Sequence, residues 1–239
     1  MTTPAPTHRG LHGTVLNALG SRIVSGKLTP GSTLDLEQTQ SEFAVSRTVV
    51  REVLRELAAK GLIGARPGFG TFVQERSSWN LLDVDVMAWR NADGPDPRLL
   101  IELGQVRILV EPFAARLAAT SATPAQLEQI AAAVDDMAAS ASVDDTTNAD
   151  ITFHMTILRA SGNELLERFQ VLLLPALGAR DVMMLAHDQG GMSYLAQHRA
   201  VSDALAARDP QASEAAMRTL LELALEDTQA ELRTLSAQE

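Results

Sequence analysis

The sequence predicts a mainly α protein in two parts: an N-terminal winged helix-turn-helix and a C-terminal all-helical bundle. Three observations predict it. Residues 45–57 read as one two-faced helix. Val50, Val53, Leu54 and Leu57 recur at i, i+3, i+4 and i+7, and Arg47, Arg51 and Arg55 form a cationic ridge at i, i+4 and i+8. Two strand-like runs, 62–66 and 71–73, flank the turn Pro67-Gly68-Phe69-Gly70. Beyond residue 97 the apolar residues recur with a helical period throughout.

Charge and composition divide the chain in the same way. The net charge is −10, yet residues 1–77 hold nine Lys and Arg against six Asp and Glu, giving +3, and the remainder is −13. Such asymmetry marks two domains with different partners. The acidic part also keeps non-specific DNA binding weak, because that binding is electrostatic. There is no cysteine, so disulfides and thiolate metal sites are excluded and a reducing cytoplasm is compatible. No apolar run reaches the roughly 18 residues a membrane span requires.

The elements follow in order. Residues 1–10, with Pro and Thr and no apolar core, are expected as a disordered arm, not a signal peptide. A helix over 11–25 carries Leu11, Val15, Leu19 and Ile23 on one side, and Gly26 suits its left-handed end. Thr29-Pro30-Gly31-Ser32 is a turn. A short helix over Leu36 to Phe43 meets the arginine helix at the corner Ala44-Val45, with Ser46 as N-cap and Gly61 as terminator. The hairpin that follows is a wing with Arg66 at its base, which completes a domain over 11–76. Residues 77–97 are expected as a linker whose Trp79 and Trp89 anchor the two domains to each other. Helices near 98–119, 124–140, 145–161, 163–187, 192–207 and 210–235 then build the second domain, 98–235. Thr123-Pro124, Gly162-Asn163, Gly190-Gly191 and Asp209-Pro210 separate them.

A short helix with a buried back and arginines near its N-terminus is what a major groove accepts. Taken alone, the ridge is also compatible with a solvated face, since Glu52 and Glu56 lie on the same helix. The partner helix, the hairpin and the local positive charge favour DNA.

At this point the chain resembles the DNA-binding domain of GntR-family transcription regulators. The likeness rests on Gly26-Lys27-Leu28-Thr29-Pro30-Gly31, Val45-Ser46-Arg47-Thr48-Val49-Val50-Arg51-Glu52-Val53-Leu54, Gly61-Leu62-Ile63 and Gly68-Phe69-Gly70-Thr71-Phe72-Val73. It implies that Ser46, Arg47, Thr48 and Arg51 contact DNA, with Gly68 at the wing tip. Thr39-Gln40, Val49 and Glu37 depart from the family pattern and bear on the operator sequence, not on the fold.

Three features of the second domain carry potential chemistry. Asp150 and His154 lie one helical turn apart, a spacing that lets both reach one ion; a core histidine hydrogen-bonded to Asp150 has the same spacing. His198 lies on another helix. Arg107 sits in an apolar helix, either paired structurally with Glu111 or facing a ligand. Arg107 with Glu111-Pro112, Asp150-x-x-Phe153-His154, Ser161-Gly162-Asn163 and His198 resemble the all-helical effector domain of the FadR-like branch of the GntR family. In its metal-containing members an Asp and three His hold a divalent ion, and a carboxylate effector completes the coordination. The resemblance implies that Asp150, His154 and His198 are three of those ligands and that Leu220 stands where the fourth is expected. Three ligands still suffice for Zn²⁺ or a similar ion. Alternatively, effector recognition rests on Arg107 and the histidines without metal, or His187 substitutes. Arg107 suits a bidentate clamp on an effector carboxylate.

The expectation is a cytoplasmic, homodimeric, ligand-responsive regulator and not an enzyme. It would repress a sugar-acid or other carboxylate operon through double-stranded operator DNA, with Arg107, Asp150, His154 and His198 binding a small organic acid. The competing readings are a metal-dependent enzyme in the helical domain and a metal-free, acyl-CoA-responsive regulator.

Overall fold

The structure is a computed structural model that describes residues 10–92, 94, 96–170, 177 and 191–236, with residues 191–193 and 236 described by backbone alone. Nearly all of the expected N-terminal arm, the stretch of the 163–187 helix beyond residue 170 apart from Leu177, and His187 lie outside the described residues. The chain divides into two compact units, Met1–Gly94 and Pro95–Glu239.

In the first unit, α1 (Gly10–Val24) buries Val15, Leu16, Leu19 and Ile23. Leu11, expected on that stripe, is instead 64% exposed at the helix start. α2 (Leu36–Phe43) is capped by Asp35, whose Oδ1 accepts from the backbone N–H groups of Glu37 and Gln38. Ala44 at φ 51 makes the left-handed corner into α3 (Arg47–Ala59). Ser46 caps α3 by accepting from Val49 N, as its position predicts, and Val50, Val53 and Leu57 form the buried back. β2 (Ile63–Arg66) and β3 (Gly70–Val73) make the wing, with Arg66 opposite Gly70. A strand of two residues, β1 (Thr33–Leu34), pairs antiparallel with β3 and gives the sheet order β1-β3-β2.

The expected linker at 77–97 needs correction. Residues 84–90 form α4 (Val84–Arg90), which is capped by Asp83 and packs on α1. Trp89 is buried there, and its Nε1–H donates to Asn17 Oδ1 at 3.0 Å. Its ring lies against Gly20, where a Cβ would stand 2.5 Å from ring carbons, so only glycine fits. Trp79 donates from Nε1 to Gln74 O. These contacts of both tryptophans lie within the first unit. Lys60 holds the start of α4 from below, with Nζ 3.0 Å from Asp83 and 2.6 Å from Asp85.

The second unit comprises α5 (Pro97–Ser121), α6 (Pro124–Ala139), α7 (Val143–Ala160), α8 (Glu164–Arg168), α9 (Gly191–Ala206) and α10 (Pro210–Ser236). Thr123 and Gln126 form a reciprocal capping box on α6, and Asp209 caps α10. Ala115, Ala118 and Ala119 on α5 leave room for the other helices to approach. Ile130, Phe153, Ile157, Leu205, Met217 and Leu221 complete one apolar core. α5 packs chiefly on α10, α6 on α7, and α9 on both α10 and α6. Among the described residues no helix is long and apolar enough to cross a membrane.

Candidate functional site

Two places in the chain gather the residues singled out above. On α3, Arg47, Thr48 and Arg51 are exposed along the N-terminal half, beside the cap Ser46. Arg55, a turn further on, pairs with Glu52 at 2.5 Å in open solvent. On the wing, the Arg66 guanidinium lies 4.6 Å from the Phe72 ring centroid, a cation–π stack that holds it beside the hairpin. Gly68 is at the tip with φ +76, and Phe69 beside it is 53% exposed.

The second place is inside the helical bundle. α7 supplies Asp150 and His154, α9 supplies His198, and ligand atoms of all three lie within 4.8 Å of one another. Asp150 and His198 are fully buried. His198 Nε2 is 2.9 Å from Asp150 Oδ1, and His154 Nε2 is 3.5 Å from the same oxygen. The other nitrogen of His198 settles its tautomer. Nδ1 is 2.8 Å from the backbone oxygen of Tyr194, and a carbonyl only accepts, so Nδ1 carries the proton. Burial lowers the His198 pKa, against the pull of Asp150, and Nε2 is the nitrogen turned to the carboxylate oxygen. Neither that nitrogen nor either oxygen of Asp150 has an aligned hydrogen bond.

A buried carboxylate with no aligned donor is costly unless positive charge lies close to it. Burial pushes the Asp150 carboxyl upward, but His154 and His198 outweigh it and hold it well below the usual range, so it is ionised. One carboxylate oxygen and two imidazole nitrogens converging on one point fit a small divalent ion with room for further ligands. Leu220 offers no ligand atom. It is buried in the apolar core with Phe153, Met217 and Leu221.

α5 brings Arg107 and Glu111 to the same cluster. Arg107 Nε donates to Glu111 Oε1 at 2.5 Å, and Glu111 Oε2 lies 2.5 Å from His154 Nδ1. Arg107 Nη2 lies 3.0 Å from His154 Nε2. Burial raises the Glu111 carboxyl, yet Arg107 and His154 bring it down to about 2. Burial and Arg107 lower His154, but Glu111 and Asp150 raise it above its ordinary value overall. The Arg107 guanidinium and a proton therefore compete for His154 Nε2, as a metal ion there would. Arg107 also reaches a cleft between α5 and α10, lined by Leu100, Leu103, Gly104, Leu221, Ala224, Leu225 and Thr228, where it is the sole charged group among the described residues.

The structure thus brings Arg107, Asp150, His154 and His198 together, and it places Ser46, Arg47, Thr48 and Arg51 along one stretch of the other unit. Sequence reasoning caught the Arg107–Glu111 pair by its i, i+4 spacing but not the contact of Glu111 with His154, which joins two distant helices. The Tyr194 carbonyl was also missed, although its place four residues before His198 was the available signal.

Comparison with known proteins agrees with this division. Residues 11–73 match the model of the gntR family of bacterial regulatory proteins, and residues 102–223 match that of the FCD domain. The galactonate operon transcriptional repressor of Escherichia coli (strain K12) is 38% identical over 210 residues, covering 87% of this chain and 92% of that protein. The HTH-type transcriptional regulator LutR of Bacillus subtilis (strain 168) is 33% identical over 202 residues, 82% of this chain and 90% of that protein. The solved structure of Lar, described as controlling expression of the Listeria monocytogenes agr system, shares the fold with a TM-score of 0.66 at 16% identity. It covers 94% of this chain and 99% of that one.

Proposed function

The chain belongs to the gntR family of bacterial regulatory proteins and carries an FCD domain, and on that footing we propose that it is a cytoplasmic repressor whose grip on operator DNA is released by a small organic acid. The family is one of transcription regulators, not of enzymes. The observation that carries the proposal is the buried Asp150–His154–His198 cluster beside Arg107 in a chain whose other unit is a winged helix-turn-helix. A buried cation-demanding cluster with a guanidinium next to it serves anion capture better than packing.

In this reading Arg47 and Arg51 meet base edges or phosphates in the major groove, and Ser46 and Thr48 fix the start of α3 on the backbone. Arg66 and Gly68 bring the wing to the adjoining groove. In the bundle, Asp150, His154 and His198 would hold a divalent ion such as Zn²⁺, whose chemistry would be to bind a carboxylate oxygen of the effector. Arg107 turns its guanidinium to the same carboxylate. The 38% identical relative is named for galactonate, a sugar acid, which puts aldonic acids first among candidates.

A homodimer completes the reading. α5 leaves Val106, Leu109 and Phe113 exposed on one side, with Leu109 at 75%. A two-fold pairing over that stripe would present two α3 helices to the half-sites of a pseudo-palindrome. The test is a duplex selected by the protein from random sequence, followed by titration with D-galactonate and other organic acids, with and without Zn²⁺. Release by at least one acid is expected. If no acid changes DNA affinity or the thermal midpoint, the effector reading fails.

A further inference from the structure

Glu111 is the one buried acid in the cluster that neither the DNA reading nor the three-ligand site uses, and it touches both Arg107 and His154. Its two oxygens are divided. Oε1 takes Arg107 Nε in a hydrogen bond, and Oε2 lies against His154 Nδ1 in a close contact without aligned hydrogen-bond geometry, each at 2.5 Å. All three side chains are nearly sealed from solvent, at 6%, 2% and 2% exposure for Arg107, Glu111 and His154. The same three residues close a ring, because Arg107 Nη2 returns to His154 Nε2 at 3.0 Å. His154 Nε2 is also the nitrogen that faces Asp150.

The ring fixes the direction of each influence. A carboxylate against Nδ1 orients an imidazole and makes its other nitrogen a better metal ligand. A guanidinium against Nε2 blocks that nitrogen and repels a cation. We propose that Glu111 is a positioning residue that couples the two halves of the effector site: it turns His154 Nε2 toward the metal position and holds Arg107 as a plug over that nitrogen until a carboxylate draws the guanidinium away. The proposal rests on the metal reading of Asp150, His154 and His198. It makes metal ion and effector cooperative, since whatever engages Arg107 frees His154, and the coupling is reciprocal. A purely structural Arg107–Glu111 pair would leave the two cations of the site independent.

The test is Zn²⁺ affinity of the full chain, measured by competition with a chromophoric chelator, for the wild type, Glu111→Gln and Arg107→Gln. His198→Ala serves as the control that empties the site. Glu111→Gln is expected to weaken Zn²⁺ binding about 10–100-fold, as loss of an outer carboxylate does elsewhere. Arg107→Gln is expected to tighten it. Opposite directions are the signature, because loss of a merely structural pair moves both variants the same way. Wild-type affinity in Glu111→Gln overturns the proposal, and so does unchanged or weaker binding in Arg107→Gln, which stands as its own test if Glu111→Gln does not fold. A wild type that takes up no Zn²⁺ removes the metal reading and this proposal with it. A wild type that binds while both variants match it removes the proposal alone.

Discussion

Asp150 carries most of the argument for a ligand in the bundle. Its carboxylate is fully buried and ionised, and it has no aligned donor. Keeping such a group ionised in the interior requires positive charge close by, so a cation that fits the cluster would be favoured there. Leu220 is the counterweight. It fills core space where the resemblance places a fourth ligand. Leu220→His should tighten Zn²⁺ binding roughly 10-fold or more if that position faces the ion. Unchanged affinity in the chelator competition would put the missing ligand elsewhere. In the other unit, Arg51→Ala should weaken operator binding while sedimentation still reports the wild-type assembly. Salt dependence separates its roles. If Arg51 meets a phosphate in each half-site, the log–log salt slope falls by about 2 for a dimer, whereas base reading relaxes sequence preference and leaves the slope.

The helices that cap themselves were legible in the sequence. Ser46, Asp209, Thr123 with Gln126, and the left-handed Gly26 all stand where local chemistry puts them. β1 and α4 were not legible, and the reason is shared: each is defined by a partner far along the chain. Two residues become β1 only because β3 lies beside them, and Arg90 ends a helix of seven residues, too short for periodicity to reveal. α4 is held by Lys60, which is 10% exposed. Burial lowers the Lys60 pKa, but Asp85 and Asp83 outweigh it and raise it. Because the folded value lies above the unfolded one, this contribution is complete below the ordinary lysine pKa of about 10.4 and fades as pH rises through the folded value. Lys60→Met should therefore destabilise the first unit at neutral pH, near the low end of the roughly 3–5 kcal/mol for breaking a buried pair. The difference from wild type should shrink in strongly alkaline buffer. A chemical-denaturation series over pH checks both statements.

At the scale of the whole molecule, the two faces of α5 matter most. One face turns Arg107 and Glu111 inward, and the other leaves Val106, Leu109 and Phe113 uncovered. A helix that lines the proposed effector site and also carries the stripe offered for dimerisation would transmit a small shift from one to the other. Leu109→Glu with Phe113→Glu should yield monomers in analytical ultracentrifugation. It should cost far more operator affinity than either half-site contact alone, because the second half-site is then no longer tethered. A dimer that survives both charges would move the interface to another face.

The chain holds two tryptophans, Trp79 and Trp89, and the contacts described for both lie within the first unit, with Trp89 sealed against Gly20. Indole emission therefore watches only the DNA-reading half of the molecule, while far-ultraviolet dichroism is dominated by the helical half. A denaturant titration followed by both signals at once becomes a label-free two-channel experiment. Coincident transitions would mean one cooperative unit, and separated ones would give each domain its own stability curve. Effector added to the same titration would then show in which channel its stabilisation appears.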